Sequence, residues 1–162
     1  MLCIYIFLPK LKDNMESQLK QFVQVGYDNS FEYQTTKTRD GKNVVIVYRE
    51  PCKTALAFIK DNGKSTQEVG RAEFAFKDNN KTFYLRMIKI DEDFRNQGIG
   101  SAMIENLVSY AQQKQCEKMQ LVAAKRLLKF YEGFGFTCTG KTATGFAIMD
   151  LTQLIKDNKT QL

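Results

Sequence analysis

The sequence predicts an α+β fold: a central mixed, mostly antiparallel sheet flanked by helices, with one parallel strand–helix–strand unit at residues 83–123. Three observations carry this reading. Residues 31–90 hold several β-rich runs separated by Asp/Asn/Gly turns, the spacing of an antiparallel meander. The hydrophobic period then becomes helical over "SAMIENLVSYAQQKQ" (residues 101–115) and returns to strand-like in "KMQLVAA" (118–124). A crossover of that length joins parallel strands. Finally, 162 residues with only two prolines and no repeat suit one domain, residues 1–162, with its own core.

Taken in order, residues 2–8 are apolar throughout, without a basic flank or a small-residue cleavage site, and read as a strand rather than a signal segment. "DNMESQLKQFV" (13–23) reads as a helix, with Asp13 or Asn14 as cap and Met15, Leu19, Phe22 and Val23 on one face. Residues 27–43 are polar and turn-rich, and "RDGK" signals a hairpin. Four strands follow in "NVVIVYRE", "TALAFIK", "EVGRAEFAFK" and "TFYLRMIKI", the last three separated by the turns "DNGK" and "DNNK". The helix after them carries Met103, Ile104, Leu107, Val108 and Ala111 on one face. "KRLLKFYEGF" (125–134) reads as a second helix that Gly135 ends. "GFTCTGK" and "GFAIMDL" read as a closing antiparallel pair, and 152–162 as a polar tail.

Composition narrows the chemistry. The net charge of +6 favours anionic ligands: polyphosphate cofactors, RNA or anionic membranes. The chain has no histidine, which excludes a Ser-His-Asp triad, a Cys-His dyad and His-ligated zinc. Cys3, Cys52, Cys116 and Cys138 are widely spaced, with no CxxC pair, and read as buried thiols in a reducing cytoplasm; no metal is expected. No apolar run reaches the ~18–20 residues of a membrane span.

The turn "FRNQGIGS" lies between the strand ending at Ile90 and the helix. Backbone N–H groups at a helix start are unpaired and carry partial positive charge. Gly98 and Gly100 would let an anion approach the backbone, and Arg95 would add a charge-assisted donor. The P-loop lysine is absent, and Met103 stands where a dinucleotide fingerprint needs its third glycine.

From "LRMIKIDEDFRNQGIGSAMIENLVSYA" the stretch resembles motif A of the GNAT superfamily of acyl-CoA-dependent N-acyltransferases, a strand and loop followed by R/Q-x-x-G-x-G/A opening a helix. "KFYEGFGF" (129–136) resembles the closing motif of the same family, at the right separation. The resemblance implies a GNAT-like sheet with residues 82–140 as cofactor-binding core and 1–43 as the variable N-terminal part. It implies acetyl-CoA as cosubstrate. Backbone groups of Ile88, Lys89 and Ile90 would meet the pantetheine arm, and Arg95, Asn96, Gln97, Gly98, Ile99, Gly100 and Ser101 the pyrophosphate. Tyr131 occupies the family's general-acid position. The base is open: Glu73 on the preceding strand is one candidate, Asp91 and Glu92 are others, and a water chain is a fourth. The family often has an asparagine where this chain has Ala124.

The implied reaction is direct attack of a primary amine on an acetyl thioester. The acceptor is a small molecule or a macromolecule, protein or aminoacyl-tRNA. In the latter case Lys125, Arg126 and Lys129 could meet RNA phosphates. A CoA-binding protein without turnover is the alternative from another class. A monomer or a homodimer is compatible with these features.

Overall fold

The structure, a computed structural model, describes residues 31–50, 52–61, 64–152 and 154. The strand expected at 2–8 and the helix expected at 13–23 lie outside them. Among the described residues the strands are β1 (Phe31–Lys37), β2 (Asn43–Arg49), β3 (Thr54–Asp61), β4 (Lys64–Lys77), β5 (Thr82–Ile90), β6 (Lys118–Ala123), β7 (Thr137–Lys141) and β8 (Ala147–Thr152). The helices are α1 (Ile99–Gln113) and the short α2 (Leu128–Glu132), with 3-10 turns at Glu92–Phe94 and Lys125–Leu127. All eight strands form one sheet in the order β1-β2-β3-β4-β5-β6-β8-β7. Only β5 and β6 are parallel. Helix α1 bridges that pair, as its helical period between two strand-like runs predicts.

Alternation builds the core. Val44, Ile46 and Tyr48 of β2, Ala72 and Phe74 of β4, Phe83 and Leu85 of β5, and Met119 and Leu121 of β6 meet one face of α1. That helical face carries Ile99, Met103, Ile104, Leu107, Tyr110 and Ala111, all buried. Each large aliphatic among them contributes about 1.5–3 kcal/mol by burial. Tyr48 and Tyr110 stack at 3.8 Å, and Phe74 stacks on Phe83 at 4.9 Å. Gly70 sets how closely α1 approaches. A Cβ there would stand 2.7 Å from Ile90 Cδ1, 3.1 Å from the Lys89 carbonyl and 3.2 Å from Met103 Sδ.

The helix expected over residues 125–134 is α-helical only at Leu128–Glu132, after a 3-10 turn; three further sequence expectations need correction. Residues 31–37, read as polar and turn-rich, form β1, paired along its whole length with β2. Its seven residues extend ~23 Å and the fifteen of α1 about 22 Å, so the strand matches the helix in length. Glu32 takes an ion pair from Lys114 at 2.6 Å, and Gln34 is hydrogen bonded to Gln113 at 3.2 Å, at the end of α1. Thr38, just past β1, meets Gly98 at its beginning. The meander therefore curls until its first strand flanks the helix. Second, Cys52 and Cys138 are exposed, and only Cys116 of the described cysteines is buried. Third, the expected tail begins later: β8 runs to Thr152, and Leu154 is buried with its amide donating to the Glu117 carbonyl at 3.2 Å.

The turn "DNNK" holds Asp78, Asn79 and Asn80 at φ 54°, 54° and 67°. Asp and Asn tolerate this left-handed region better than other side chains bearing Cβ.

Candidate active site

The parallel ladder between β5 and β6 is short. It pairs Thr82 through Leu85 with Lys118 through Leu121 and stops, although β5 continues to Ile90 and β6 to Ala123. The cause lies on the other side of β5. There Phe74 faces Leu85 and Glu73 faces Met87, so Arg86 is an extra residue in the register with β4. A bulge bends and twists its strand, and this one falls where pairing with β6 ends. Residues 86–90 are left with no ladder partner on the β6 side among the described residues.

The open wedge leads to the turn predicted from sequence. The first bond of the α1 ladder with an acceptor ahead of the helix is Ala102 N–H to the Gly98 carbonyl, at 3.0 Å. The amides of Ile99, Gly100 and Ser101 precede it, and among the described residues no side chain caps the helix. Unpaired donors at a helix start form an anion site. The residues on hand thus fit a pyrophosphate.

The two glycines work differently from the simple cradle expected of them. Gly98 has φ +76°, which an L side chain resists. The space beside its Cα is already taken: a Cβ would lie 3.4 Å from Thr38 Cβ and 3.5 Å from the Arg39 amide nitrogen. Gly100 has ordinary clearance, 3.7 Å to Ile90 Cγ1 and 3.9 Å to Phe130 Cζ. Asn96 also takes a left-handed φ of 59°. Arg95 is exposed but engaged, donating to the Ile90 carbonyl at 3.1 Å and pairing with Glu92 at 3.2 Å. Exposed pairs of this kind hold weakly, about 0–1 kcal/mol, so Arg95 can exchange partners at low cost. Gln97 donates to the Asp93 carbonyl at 2.9 Å and accepts from Lys42 Nζ.

Ile88 and Ile90 lie on the α1 face of β5, half-buried, opposite Ala72 and Gly70 of β4. Met87 and Lys89 lie on the other face, exposed. Glu73 is exposed beside Met87 on that outer face, two strands from β6. It is not brought next to Tyr131 by any contact among the described residues. Asp91 opens the 3-10 turn, its carbonyl accepting from the Phe94 amide at 2.9 Å, and Glu92 is held by Arg95.

Tyr131 sits in α2 with its ring 5% exposed, edge-on to Phe136 at 5.9 Å and to Phe130 at 5.1 Å. Its hydroxyl has no hydrogen-bond partner among the described residues. Burial pushes the phenol above its ordinary value, so it keeps its proton at neutral pH. Ala124 precedes the turn leading to α2, and its carbonyl accepts from the Leu127 amide at 2.8 Å. Lys125, Arg126 and Lys129 are exposed and make no ion pair among the described residues. Also among the described residues, no cluster of His, Cys, Asp or Glu could hold a metal, and no helix is long and apolar enough to cross a membrane. A cavity of about 330 Å³ lined by Asp78, Lys81, Thr82, Glu117, Lys118 and Thr152 lies at the opposite end of β5.

A strand–turn–helix with a free amide terminus, a parting parallel pair and a buried tyrosine beyond it can now be set against known proteins. The model of the acetyltransferase (GNAT) family matches residues 13–136. The chain belongs to this GNAT family. Solved structures show the same fold at low identity. A GNAT family acetyltransferase from Elizabethkingia anophelis, with acetyl-CoA bound, aligns at TM-score 0.54 and 15% identity, covering 77% of this chain and 99% of that one. An aminoglycoside 6'-N-acetyltransferase complexed with coenzyme A aligns at 0.53 and 14%, covering 64% and 74%. Nourseothricin acetyltransferase aligns at 0.52 and 16%, covering 78% and 86%. No curated protein matches the chain significantly by sequence. By family, this GNAT chain is an acyltransferase.

Sequence reasoning missed two parts of the site: the bulge at Arg86, and the approach of the β1–β2 turn to the glycines. The first has no signal within one strand. "RDGK" marked the second as a hairpin but not its destination.

Proposed function

We propose that the protein transfers an acetyl group from acetyl-CoA to a primary amine. The observation that carries this is the parting of β5 and β6 after Leu85, with the uncapped start of α1 at its mouth. When bound, the coenzyme supplies an acyl group activated as a thioester. The amides of Ile99, Gly100 and Ser101 hold the pyrophosphate, with Arg95 released from Glu92 to join them. The backbone of Met87 through Ile90, without a ladder partner on the β6 side among the described residues, guides the pantetheine arm. Fixing thioester and amine side by side contributes several kcal/mol, up to about 7–11 in ideal cases.

Two proton positions remain. An amine titrating near ~10.4 must lose its proton before attack, and Glu73 accepts it through solvent from the outer face of the sheet. The departing sulfur receives a hydrogen bond or proton from the Tyr131 hydroxyl, which is protonated and unengaged. The acceptor is a primary amine, and its class is what the panel below distinguishes. A macromolecular acceptor is the second reading, and the unpaired Lys125, Arg126 and Lys129 favour a polyanionic one such as aminoacyl-tRNA.

Incubation with acetyl-CoA and a panel of polyamines, aminoglycosides, peptides and aminoacyl-tRNA, followed by free-thiol release, tests this. Turnover with a small amine supports the first reading. Turnover confined to aminoacyl-tRNA, with a steep salt slope, supports the second. Coenzyme binding with no turnover on the whole panel leaves a CoA-binding protein.

A further inference from the structure

The contact between the β1–β2 turn and the glycine-rich turn is not demanded by the motif. Lys42 Nζ donates to Gln97 Oε1, across 55 positions of sequence. Thr38 fills the space beside Gly98, and the Arg39 amide lies against it. The turn is closed by its own bonds: Gly41 N–H to the Thr38 carbonyl at 2.9 Å, and Thr38 N–H to the Lys42 carbonyl at 3.0 Å. The Lys42 amide donates to Thr38 Oγ1 at 3.0 Å, and Thr38 Oγ1 donates to Asp40. Gly41 at φ +83° allows the tight reversal. The result is a stiff loop that carries two cations to the start of α1.

The cations are not fully used. Lys42 pairs loosely with Asp40 at 3.6 Å, both half-exposed. Arg39 is exposed and makes no ion pair among the described residues, and its amide donates to no acceptor there. Lys42 rests on a neutral amide oxygen that belongs to the phosphate turn itself. An arriving phosphate oxygen is a better partner for an ammonium group than that amide.

We infer that the β1–β2 hairpin is a second arm of the coenzyme's phosphate site, with Lys42 and Arg39 reaching the pyrophosphate held at the start of α1. This rests on the coenzyme reading above and adds residues that the motif does not contain. Pyrophosphate rather than the 3'-phosphate is the target because Lys42 is already against Gln97, within the turn that holds it. Only binding is involved, and no bond is made or broken.

The test is calorimetric titration of the full chain with CoA and with dephospho-CoA, which lacks the 3'-phosphate. The double variant Arg39→Ala/Lys42→Ala binds both about ten- to a hundredfold more weakly, with a flatter salt dependence. Lys42→Arg keeps affinity within about threefold because the charge and donor remain. Unchanged thermal midpoints of these exposed variants separate binding from folding. A folded double variant that binds CoA as the wild type does overturns the inference and leaves the coenzyme reading standing. A loss seen with CoA but not with dephospho-CoA overturns the assignment to pyrophosphate. Failure of the wild type to bind CoA overturns the coenzyme reading, and this inference with it.

Discussion

Removing one oxygen atom from Tyr131 separates its two roles. The ring is buried against Phe130 and Phe136, and its hydroxyl has no hydrogen-bond partner among the described residues. Tyr131→Phe therefore keeps the packing and deletes no bond that folding made. Stability changes by less than ~1 kcal/mol, because the ring keeps its packing and the hydroxyl removed has no hydrogen-bond partner among the described residues. Turnover responds differently. A general acid contributes typically about 10²–10⁴-fold, equivalent to roughly 2.7–5.4 kcal/mol of barrier. The expected result is a loss of that size in kcat, with KM for acetyl-CoA and the affinity for CoA little changed. The assay is thiol release with an acceptor found in the amine panel, alongside thermal unfolding. The pH profile adds a check. Burial raises the phenol above ~10, so the donating, protonated form persists through neutral pH and is lost only in strong alkali. A Tyr131→Phe enzyme with kcat within about threefold of wild type would refute the general-acid argument. A drop in thermal midpoint matching the activity loss would assign Tyr131 to the core instead.

Other perturbations follow from the same geometry. Gly98→Ala must hold Ala at φ +76°, and should cost about 1–2 kcal/mol in denaturant unfolding. Gly100→Ala, with ordinary clearance inside a helix, should instead leave stability unchanged or raise it by up to ~1 kcal/mol. Gly70→Ala should lower stability by about 1–3 kcal/mol, because the new methyl meets Ile90, the Lys89 carbonyl and Met103 between sheet and helix. Glu50 is partly buried, which raises its pKa, but bonds from Lys53 and Tyr110 outweigh this and hold the carboxyl below its ordinary value. A lowered folded-state value stabilises the fold above the unfolded pKa of ~4.3 and is lost as pH falls through the lowered one. Acid unfolding followed by circular dichroism should thus begin at higher pH in Glu50→Gln than in wild type if other carboxylates titrate alike; identical profiles would count against it.

The parts legible in the sequence are those that a local period or a fixed spacing encodes. Helix α1 announced itself through Met103, Ile104, Leu107 and Ala111, and the two motifs on either side of β6 kept their separation in the fold. Strand β1 did not, because the alternation in "FEYQTTK" stops after Phe31 and Tyr33 and the remaining residues are all polar. Among the described residues it is the outermost strand, held by pairing with β2 and by polar contacts with Gln113 at the end of α1 and Lys114 just past it. The second helix is shorter than "KRLLKFYEGF" suggests, since its first turn is 3-10 and no side chain caps it. The bulge at Arg86 depends on register between two strands, which neither strand carries alone. The same holds for Lys42 on Gln97: each turn was readable, but their meeting is a product of how far the sheet curls around α1.

An amide-resolved NMR titration of the wild-type protein with CoA locates the coenzyme directly. With pyrophosphate seated at the start of α1, the amides of Gly98, Ile99, Gly100 and Ser101 move most, together with those of Met87 through Ile90, and pantetheine alone leaves the first group in place. Movement centred on Lys81, Thr82, Glu117 and Lys118, at the cavity on the opposite end of β5, with the start of α1 undisturbed, would contradict that seating.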